Sequence, residues 1–501
     1  MILSHSSTDV SHNPRTANTE GGVEHTTPDA VANILQVAAQ SAAEIAASSP
    51  RDRERWLDAV AETLLSHQEE LALLADEETA LGIARLRSEI AGASKSAQFY
   101  ARVAVDGTYL HASTDTVNDS TTLARWNIPI GPIAVFGASN FPFGFGVCGH
   151  DVASAIAAGC PVVVKAHPAH PRLSVRTATL TREALVSAGA PPGVYDLVVG
   201  FEAGLQLVDS TEIMAVAFTG SQGGGMALRD RAAARGVPVF AEMGTVNPVF
   251  VTAAAITAPS RTEEIAAGFV ASFTLGAGQF CTKPGLIFAP AGAGMFDAIS
   301  YIVSQITPAP LLTRGIATSF AAGVEELAHA TGSSATSDEV RGNFAAARAF
   351  SVNLDDLKPG SRLLDECFGP VALVCEYADI ETALDAVARL QNSLAASVFT
   401  GGTTDTDART AVSRLLTKVG RVAVNEWPTG VANSWSQQHG GPWPATSRPD
   451  ATSVGAGALA RFVRPVALQN ADPDMLPQAC APENPWDIPR RVNGLFSVPP
   501  I

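Results

Sequence analysis

Cys281 lies in the stretch LGAGQFCTKPG, residues 275–285, just after a turn that contains Gly276 and Gly278. Cysteine is among the most buried residue types, so a single cysteine more often contributes packing than chemistry. A thiolate is nevertheless a strong nucleophile that adds to a carbonyl carbon and leaves a thioester that water can cleave. Cys281 is therefore a candidate nucleophile, and the groups around it must decide its role.

Two charged side chains stand at the ends of predicted strands. Glu242 follows the apolar run VFA, where a carboxylate is costly to bury unless it has a purpose. The alternative is a carboxylate that pairs with a neighbouring backbone group or cation. Lys165 ends the run VVVK and is either a solvated strand end or a functional cation.

A histidine pair and a glycine cluster carry weaker signals. His167 and His170 do not predict a metal site, because the prolines at 168 and 171 prevent a shared helical face and no cysteine or carboxylate cluster accompanies them. In VAFTGSQGGGMALRDRA, Gly220 and Ser221 end a strand and Gly225 enters a helix, an arrangement that lets a phosphate approach free N–H groups. Alone it is as consistent with a tight turn, and it matches neither G-x-G-x-x-G nor a Walker loop.

Composition excludes some partners. The 501 residues carry a net charge of −16, which repels nucleic acid and anionic membranes, so an anionic substrate needs a local Arg or Lys. Charged residues make up only 16%, which indicates extra buried surface such as that between subunits. The six cysteines form no C-x-x-C pair, which favours a reducing cytoplasm. No membrane span or targeting peptide is visible, and residues 1–28 are expected to be a flexible lead.

The hydrophobic pattern predicts an α/β protein. Apolar residues recur at helical spacing over residues 31–102, and a Thr-rich alternating stretch over about 106–130 predicts a hairpin. Short apolar runs then alternate with helical stretches, which is typical of a doubly wound parallel sheet that binds ligands at the carboxyl ends of its strands. A second α/β block begins near Phe240.

Several motifs together resemble one family. GASNFPF, VVVKAH, FTGSQGGG, FAEMGTVNP, GQFC and ECFGP occur in the order found in the aldehyde dehydrogenase superfamily, over roughly residues 30–465. The resemblance implies a doubly wound cofactor domain, an α/β catalytic domain and a small oligomerisation arm. It places the cofactor domain at 29–239 with its hairpin arm, the catalytic domain at 240–430, a return to the cofactor domain at 431–464 and a C-terminal arm at 465–501.

The resemblance also implies roles for individual residues. Cys281 would be the nucleophile, the Asn140 amide and the Cys281 N–H would hold the developing oxyanion, and Glu242 would be the general base for hydrolysis. Glu366 would grip the nicotinamide ribose. The remaining residues implied to bind the cofactor are Lys165, His167, Gly220, Ser221, Gly225 and Phe368.

Two departures from the family pattern affect these expectations. The usual Gly-Gly-Lys after the base is Gly244-Thr245-Val246 here. In members that prefer NAD, a carboxylate three residues after the lysine holds the 2′-hydroxyl, and Pro168 stands there instead. With no acid at that place to repel a 2′-phosphate, and Lys165 and His167 available to pair with it, NADP is the expected cofactor and NAD remains possible.

Two longer stretches bear on the substrate. Residues 136–171 and 437–470 resemble the α-ketoglutaric semialdehyde dehydrogenase branch, which implies oxidation of 2,5-dioxopentanoate to 2-oxoglutarate. KAHPAHP is also similar to an NADP-using fatty aldehyde dehydrogenase, so a medium- or long-chain aliphatic aldehyde is the alternative. Arg448, Arg461 and Arg464 are open candidates for binding a carboxylate.

The expected partners follow from the same resemblance. They are a small-molecule aldehyde and further copies of the chain in a homodimer or homotetramer, without nucleic acid or membrane. A binding or structural homologue without turnover is an alternative of another class, against which Cys281, Glu242 and Asn140 together argue.

Overall fold

The computed structural model describes residues 7–333 and 342–498. The chain begins with the antiparallel strands β1 (Thr8–His12) and β2 (Thr19–Glu24). This hairpin differs from the flexible lead that we predicted over 1–28. It is fixed to the first sheet by hydrogen bonds such as the one from the Thr26 N–H to the Val199 carbonyl (3.0 Å).

Four amphipathic helices follow, as the helical spacing predicts. They are α1 (Pro28–Ala47), α2 (Pro50–Ser66), α3 (Gln68–Thr79) and α4 (Ile83–Asp106). The first two begin with proline at the first position and a Thr27 or Ser49 side chain that accepts a backbone N–H, which satisfies donors that the helix leaves open. Gly107, in the left-handed conformation (φ 71°), ends α4.

The next strands form the predicted hairpin and the first parallel sheet. The hairpin is β3 (Ser113–Asn118) and β4 (Thr121–Pro129). The sheet contains β5 (Ile133–Phe136), β6 (Val162–Lys165), β7 (Tyr195–Val198), β8 (Ala215–Gly220) and β9 (Val239–Met243), in the order β7-β6-β5-β8-β9. Its helices are α5 (His150–Ala158), α6 (Pro171–Ser187), α7 (Phe201–Asp209) and α8 (Gln222–Ala233). This alternation confirms the doubly wound fold.

The boundary predicted between residues 239 and 240 differs from the sheet membership. β9 pairs with β8, so the first sheet extends to Met243 and includes Glu242. The backbone groups of β9 pair in parallel with those of β8. The apolar run of β9 therefore extends the first sheet and does not begin a new one. The return segment lies beside β9, where the Ala445 carbonyl accepts the Met243 N–H (2.9 Å).

The second block is a six-stranded parallel sheet with helices on both faces. In chain order its region contains β10 (Pro248–Val251), α9 (Pro259–Thr274), β11 (Leu286–Pro290), α10 (Met295–Val303), β12 (Ala309–Pro310), α11 (Arg314–Ala330), β13 (Phe344–Ala345), β14 (Arg348–Val352), β15 (Val371–Tyr377), α12 (Ile380–Arg389), β16 (Ser393–Phe399), α13 (Thr406–Leu415) and β17 (Val419–Val424). The strand order is β14-β15-β11-β10-β16-β17, with β12 and β13 as a separate pair. Every residue of β10 and β16 is buried, as expected for central strands covered on both faces.

The C-terminal residues complete a third sheet around the hairpin arm. β18 (Val463–Gln469), β19 (Arg490–Val492) and β20 (Leu495–Ser497) join β3 and β4 in the order β18-β4-β3-β19-β20. Within the ranges that the structure describes, no helix is both long and apolar enough to span a membrane.

Candidate active site

Cys281 lies in a turn whose backbone only particular residues allow. The 3₁₀ turn Leu275–Gly278 precedes it, and Gly278 has a φ of 69°. A Cβ atom on Gly278 would lie 2.3 Å from the Gly369 carbonyl carbon, so a larger residue is excluded. Glycine is therefore required at position 278, because the backbone there approaches the backbone of Gly369 closely.

Two buried side chains hold this turn in place. The Asn247 amide donates to the carbonyls of Cys281 (2.8 Å) and Lys283 (3.1 Å). The Lys283 ammonium donates to the carbonyls of Cys367 (3.0 Å) and Val371 (2.8 Å), and burial lowers its pKa. Lys283 thus connects the turn that contains Cys281 to the segment that contains Glu366. Sequence analysis assigned no role to either residue, since their partners are backbone groups far along the chain.

Two cavities meet at the Cys281 thiol. One, of about 600 Å³, is lined by Asn140, His167, Gly220, Ser221, Glu366 and Phe368 among others. The second, of about 660 Å³, runs along α4 and the return segment and includes Lys95, Arg102, Asn433 and His439. Because Cys281 lines both, a molecule in each cavity can reach the sulfur from a different side.

The first cavity fits a dinucleotide. Ser221 caps α8 by accepting the Gly224 N–H, so a helix N-terminus lies at the carboxyl end of β8. Glu366 presents the buried oxygen Oε1, which has no hydrogen-bond partner among the described residues. A Cβ on Gly244 would lie 2.1 Å from Glu366 Oε2, so glycine is required there. Burial raises the pKa of Glu366 to about 7, and a hydroxyl could satisfy the carboxyl.

Two residues implied to bind the cofactor do not line this cavity. Gly225 lies in α8 on the side that faces β9, where a Cβ would lie 2.7 Å from Met243 Sδ, so its small size serves helix packing. Gly224 lines the cavity instead. The Lys165 side chain packs against Gly204 instead, where a Cβ would lie 3.0 Å from Lys165 Cγ. Burial lowers the pKa of Lys165 while the nearby Asp9 raises it.

Asp9 and His167 change the expected charges near Lys165. The N-terminal hairpin brings in Asp9, which hydrogen-bonds to His25 Nε2 (2.9 Å), so an acid is present that the local motif did not reveal. Burial, followed by His170 and Lys165, holds the pKa of His167 well below its usual value. His167 Nδ1 accepts the Ala169 N–H (3.1 Å), so its Nε2 carries the hydrogen and can donate.

Asn140 is buried between the nucleophile turn and α4. Its side-chain amide donates to the backbone carbonyl of Gln279 (2.7 Å), two residues before Cys281. The backbone carbonyl of Asn140 accepts a hydrogen bond from the Arg85 guanidinium (2.7 Å). An amide nitrogen has two hydrogens, so one remains for a ligand. Since Asn140 and Cys281 line the same cavity, that hydrogen can serve an oxygen bound near the sulfur.

Glu242 lies behind the thiol in an apolar setting. The Ser453 hydroxyl donates to Oε2, while the buried Oε1 has no partner among the described residues. Burial raises the pKa of Glu242 to about 8, against the effect of the Ser453 hydrogen bond. The carboxyl is therefore largely protonated at neutral pH and is a base only at higher pH.

His439 joins these groups and was missed by sequence analysis. Its Nε2 lies 3.9 Å from Cys281 Sγ, and its Nδ1 lies 3.4 Å from Glu242 Oε2. Burial, with Arg421 and His150, lowers the pKa of His439 to about 3, so the ring is neutral at pH 7. The only sequence signal was an unassigned histidine in QQHGGPWPATS, because nothing local links residue 439 to residue 281.

The environment of Cys281 keeps its thiol protonated. Burial raises its pKa, and the carboxyl groups of Glu242 and Glu366 raise it further. A protonated thiol is a weak nucleophile, so a neighbouring base must take the proton. His439 is the nitrogen base in contact with it.

The same three residues include ligand types that zinc accepts. The donor atoms of Glu242, Cys281 and His439 all lie within 4.8 Å of one another. The expectation of no metal site was argued from His167 and His170, and it did not anticipate this cluster. The absence of a metal site stays a prediction for the protein as a whole.

The arginines suggested for carboxylate binding lie elsewhere. Arg448 binds Asp450 (2.8 Å), and the buried Arg461 binds Asp151 (2.7 Å). Arg464 is exposed on β18. None of the three lines the 660 Å³ cavity.

The doubly wound fold, together with a cavity that fits a dinucleotide and ends at a cysteine, points to a nucleotide-dependent oxidoreductase. Residues 2–300 and 320–442 match the model of the aldehyde dehydrogenase family. The chain belongs to this family, whose members act on aldehydes and use NAD or NADP.

Relatives are similar over most of the chain. An "Alpha-ketoglutaric semialdehyde dehydrogenase 2" of Azospirillum brasilense is 39% identical over 495 residues, covering 92% of this chain and 93% of the relative. An "Alpha-ketoglutaric semialdehyde dehydrogenase" of Acinetobacter baylyi is 35% identical, covering 94% and 92%. The crystal structure of an NAD-dependent aldehyde dehydrogenase from Sinorhizobium meliloti superposes with a TM-score of 0.80 at 23% identity, covering 94% and 92%.

We predict that Cys281→Ala abolishes aldehyde oxidation and leaves the affinity for the nucleotide within about twofold, because the thiol forms a covalent bond and does not hold the cofactor. Steady-state turnover and fluorescence titration with nucleotide measure the two effects. Ala substitutions at Cys148, Cys160, Cys367, Cys375 and Cys480 are the matched controls and should keep activity. Turnover by Cys281→Ala, or a second indispensable cysteine, would contradict the assignment.

Proposed function

We propose that the protein oxidises 2,5-dioxopentanoate, α-ketoglutaric semialdehyde, to 2-oxoglutarate with NADP. The observation that carries the reaction type is the position of Cys281 where two cavities meet, with His439 and Glu242 behind it. The substrate is supported by the two relatives that bear the name of this semialdehyde and align over more than nine-tenths of the chain.

One observation favours the alternative substrate. The 660 Å³ cavity is lined by aromatic and aliphatic side chains, including Phe99, Phe145, Leu275 and Phe280, and it is roomier than a five-carbon acid requires. A medium- or long-chain aliphatic aldehyde is the second candidate for this reason.

Thiol activation is the first task of the side chains. His439 Nε2 accepts the proton of Cys281 as the sulfur attacks the aldehyde carbon, and Nδ1–H faces Glu242 Oε2. The neutral ring has a free nitrogen lone pair for this proton, but burial disfavours the imidazolium that results. The Glu242 carboxyl group, 3.4 Å from Nδ1, is therefore needed to stabilise the imidazolium while the proton is held. The product of this step is a thiohemiacetal on Cys281.

The developing oxyanion is held by Asn140 and by the Cys281 backbone N–H. One such donor contributes about a hundredfold or more in rate. Glu366, Ser221 and Gly220 would hold the dinucleotide, which when bound accepts a hydride from the thiohemiacetal. Cys281 then carries a thioester.

Hydrolysis is the task of Glu242. A carboxyl oxygen of Glu242 lies within 4.8 Å of Cys281 Sγ, close enough to act through one water. Ionised Glu242 takes a proton from a water molecule while the water oxygen attacks the thioester carbon. The carbon–sulfur bond then breaks, which releases 2-oxoglutarate and frees Cys281.

The proposed preference for NADP rests on the residues after β6. Pro168 leaves no acid at the usual place, and His167, which lines the cavity, can donate to a 2′-phosphate. Lys165 would reach that phosphate by turning away from Gly204. Asp9 works against this preference because its charge lies near Lys165. A homodimer or homotetramer and a cytoplasmic location remain our predictions.

A substrate panel tests the proposed function. The purified protein should oxidise 2,5-dioxopentanoate with a higher kcat/KM than pentanal, octanal or decanal, as measured by absorbance of the reduced nucleotide. Higher values for octanal or decanal would favour the aliphatic alternative. No turnover of any aldehyde with NAD or NADP would favour the homologue without activity.

We predict that Glu242→Gln still forms the acyl-enzyme but slows its hydrolysis by about a hundredfold or more, because an amide cannot accept the water's proton. Rapid mixing should show a burst of reduced nucleotide, and mass spectrometry should show the acyl group on Cys281. In the unmodified enzyme the hydrolysis rate should rise with pH and be half-maximal at about pH 8, since the ionised form is the base. An unchanged steady-state rate in the variant would remove Glu242 from the mechanism.

We predict the opposite kinetic signature for His439→Phe, which removes the thiol's proton acceptor. The burst should slow by about a hundredfold, and alkylation of Cys281 by iodoacetamide at neutral pH should slow as well. Thermal unfolding controls for a packing defect. A full burst in this variant would show that another group activates the thiol.

We predict that cofactor choice responds to charge near Lys165. Lys165→Met should weaken NADP more than NAD, by roughly tenfold in their ratio, since a charge-assisted contact contributes about 1.5–3 kcal/mol. Pro168→Glu should penalise NADP, and Asp9→Asn should favour it. The ratio of kcat/KM values for the two nucleotides is the measurement, and a ratio that favours NAD in the unmodified enzyme would refute the NADP preference.

A further inference from the structure

The cavity of about 660 Å³ that leads to Cys281 has a cationic wall formed by Lys95 and Arg102. Both belong to α4, seven residues apart, so they lie on one face of the helix, two turns apart. The neighbouring positions Gly92 and Phe99 line the same cavity, which shows that this face of α4 is its wall.

The two cations are available to a ligand. Both side chains are exposed, and among the described residues neither forms an ion pair. Arg102 lies near enough to Asp58 to lower its pKa, but burial of Asp58 and the neighbouring Glu54 and Glu62 outweigh that effect. Asp58 does not line the cavity.

Apart from Cys281, the other ionisable side chains that line the cavity are His150, His439 and Glu89. His150 and His439 are neutral at pH 7 because burial lowers the pKa of each to about 3. Glu89 is half-buried, and desolvation raises its pKa, while its carboxyl is engaged by the N–H groups of Phe143 (2.9 Å) and Gly144 (3.0 Å). Lys95 and Arg102 are the only lysine and arginine side chains among the described residues that line this cavity.

A polar donor lies on the wall opposite α4. The Nδ2 atom of Asn433 is buried and has no hydrogen-bond partner in the described chain, while its Oδ1 accepts the Gly455 N–H (3.1 Å). An unpaired buried donor is costly, so it marks a place where a ligand oxygen can bind. A 2-oxo carboxylate supplies such oxygens.

We infer that Lys95 and Arg102 attract the carboxylate of an anionic aldehyde and thereby set the preference of the site for acids over neutral aldehydes. The inference rests on the proposed function, whose substrate is an anion. A chain with a net charge of −16 repels that anion, so local cations are needed at the entrance. The arginines 448, 461 and 464 cannot serve there, because they line no part of this cavity.

The test compares anionic and neutral aldehydes of matched length. Lys95→Met and Arg102→Met should each lower kcat/KM for 2,5-dioxopentanoate and succinate semialdehyde by about three- to fivefold, and the double variant by more than about tenfold. The values for pentanal and butanal should stay within about twofold. Lys95→Arg should restore the loss, and Lys358→Met, which removes an exposed charge away from both cavities, is the matched control.

Ionic strength gives a second measurement. Added salt should lower kcat/KM for the anionic aldehydes in the unmodified enzyme and should have a smaller effect in the double variant. Equal losses for anionic and neutral aldehydes, or no loss, would overturn the role of the wall while the wild-type preference for the acid still stood. A wild-type enzyme without that preference would overturn the proposed substrate as well.

Discussion

Burial of a thiol, an imidazole and a carboxyl in one corner is the constraint on which the site depends. Burial raises the pKa values of Cys281 and Glu242 and lowers that of His439, so each group favours its neutral form at rest. Charges in such a place are costly unless they are paired. The donor atoms of the three groups lie within 4.8 Å of one another. The mechanism that we propose depends on this distance, because the same groups would take the thiol's proton and later activate water.

Buried hydrogen bonds, in addition to apolar packing, hold the backbone around Cys281 in place. Asn247 holds the Cys281 and Lys283 carbonyls, and Lys283 reaches to the carbonyls of Cys367 and Val371. The turn that contains Cys281 and the segment that contains Glu366 are thus connected by hydrogen bonds. Removal of either donor would leave several buried carbonyls unsatisfied, which costs about 1–3 kcal/mol for each group.

Local patterns predicted much of the fold, and non-local contacts account for what was missed. The strands β5 to β8 and the helices before them follow from hydrophobic periodicity, and Cys281 and Asn140 stand in motifs whose neighbours in sequence are also neighbours in space. His439 had no such signal, because its role depends on a contact with a residue 158 positions away. Asp9 was missed for the same reason, and Gly225 was misplaced because a packing glycine and a phosphate-binding glycine have the same sequence appearance.

The charge distribution separates the two approaches to the sulfur. On the nucleotide side, Glu366 offers a carboxyl with a pKa of about 7, and Asp9 lies near Lys165, so the cations there are already opposed by acids. On the other side, Lys95 and Arg102 line a cavity whose histidines are neutral and whose one acidic side chain among the described residues, Glu89, accepts two backbone N–H groups. Electrostatic attraction falls off over about 10 Å at moderate salt, so each cavity responds to its own charges more than to the net charge of the chain. In our proposal, Lys95 and Arg102 hold the carboxylate on the α4 side of this cavity, which leaves the aldehyde end of the substrate free to reach Cys281, since Cys281 lines the same cavity.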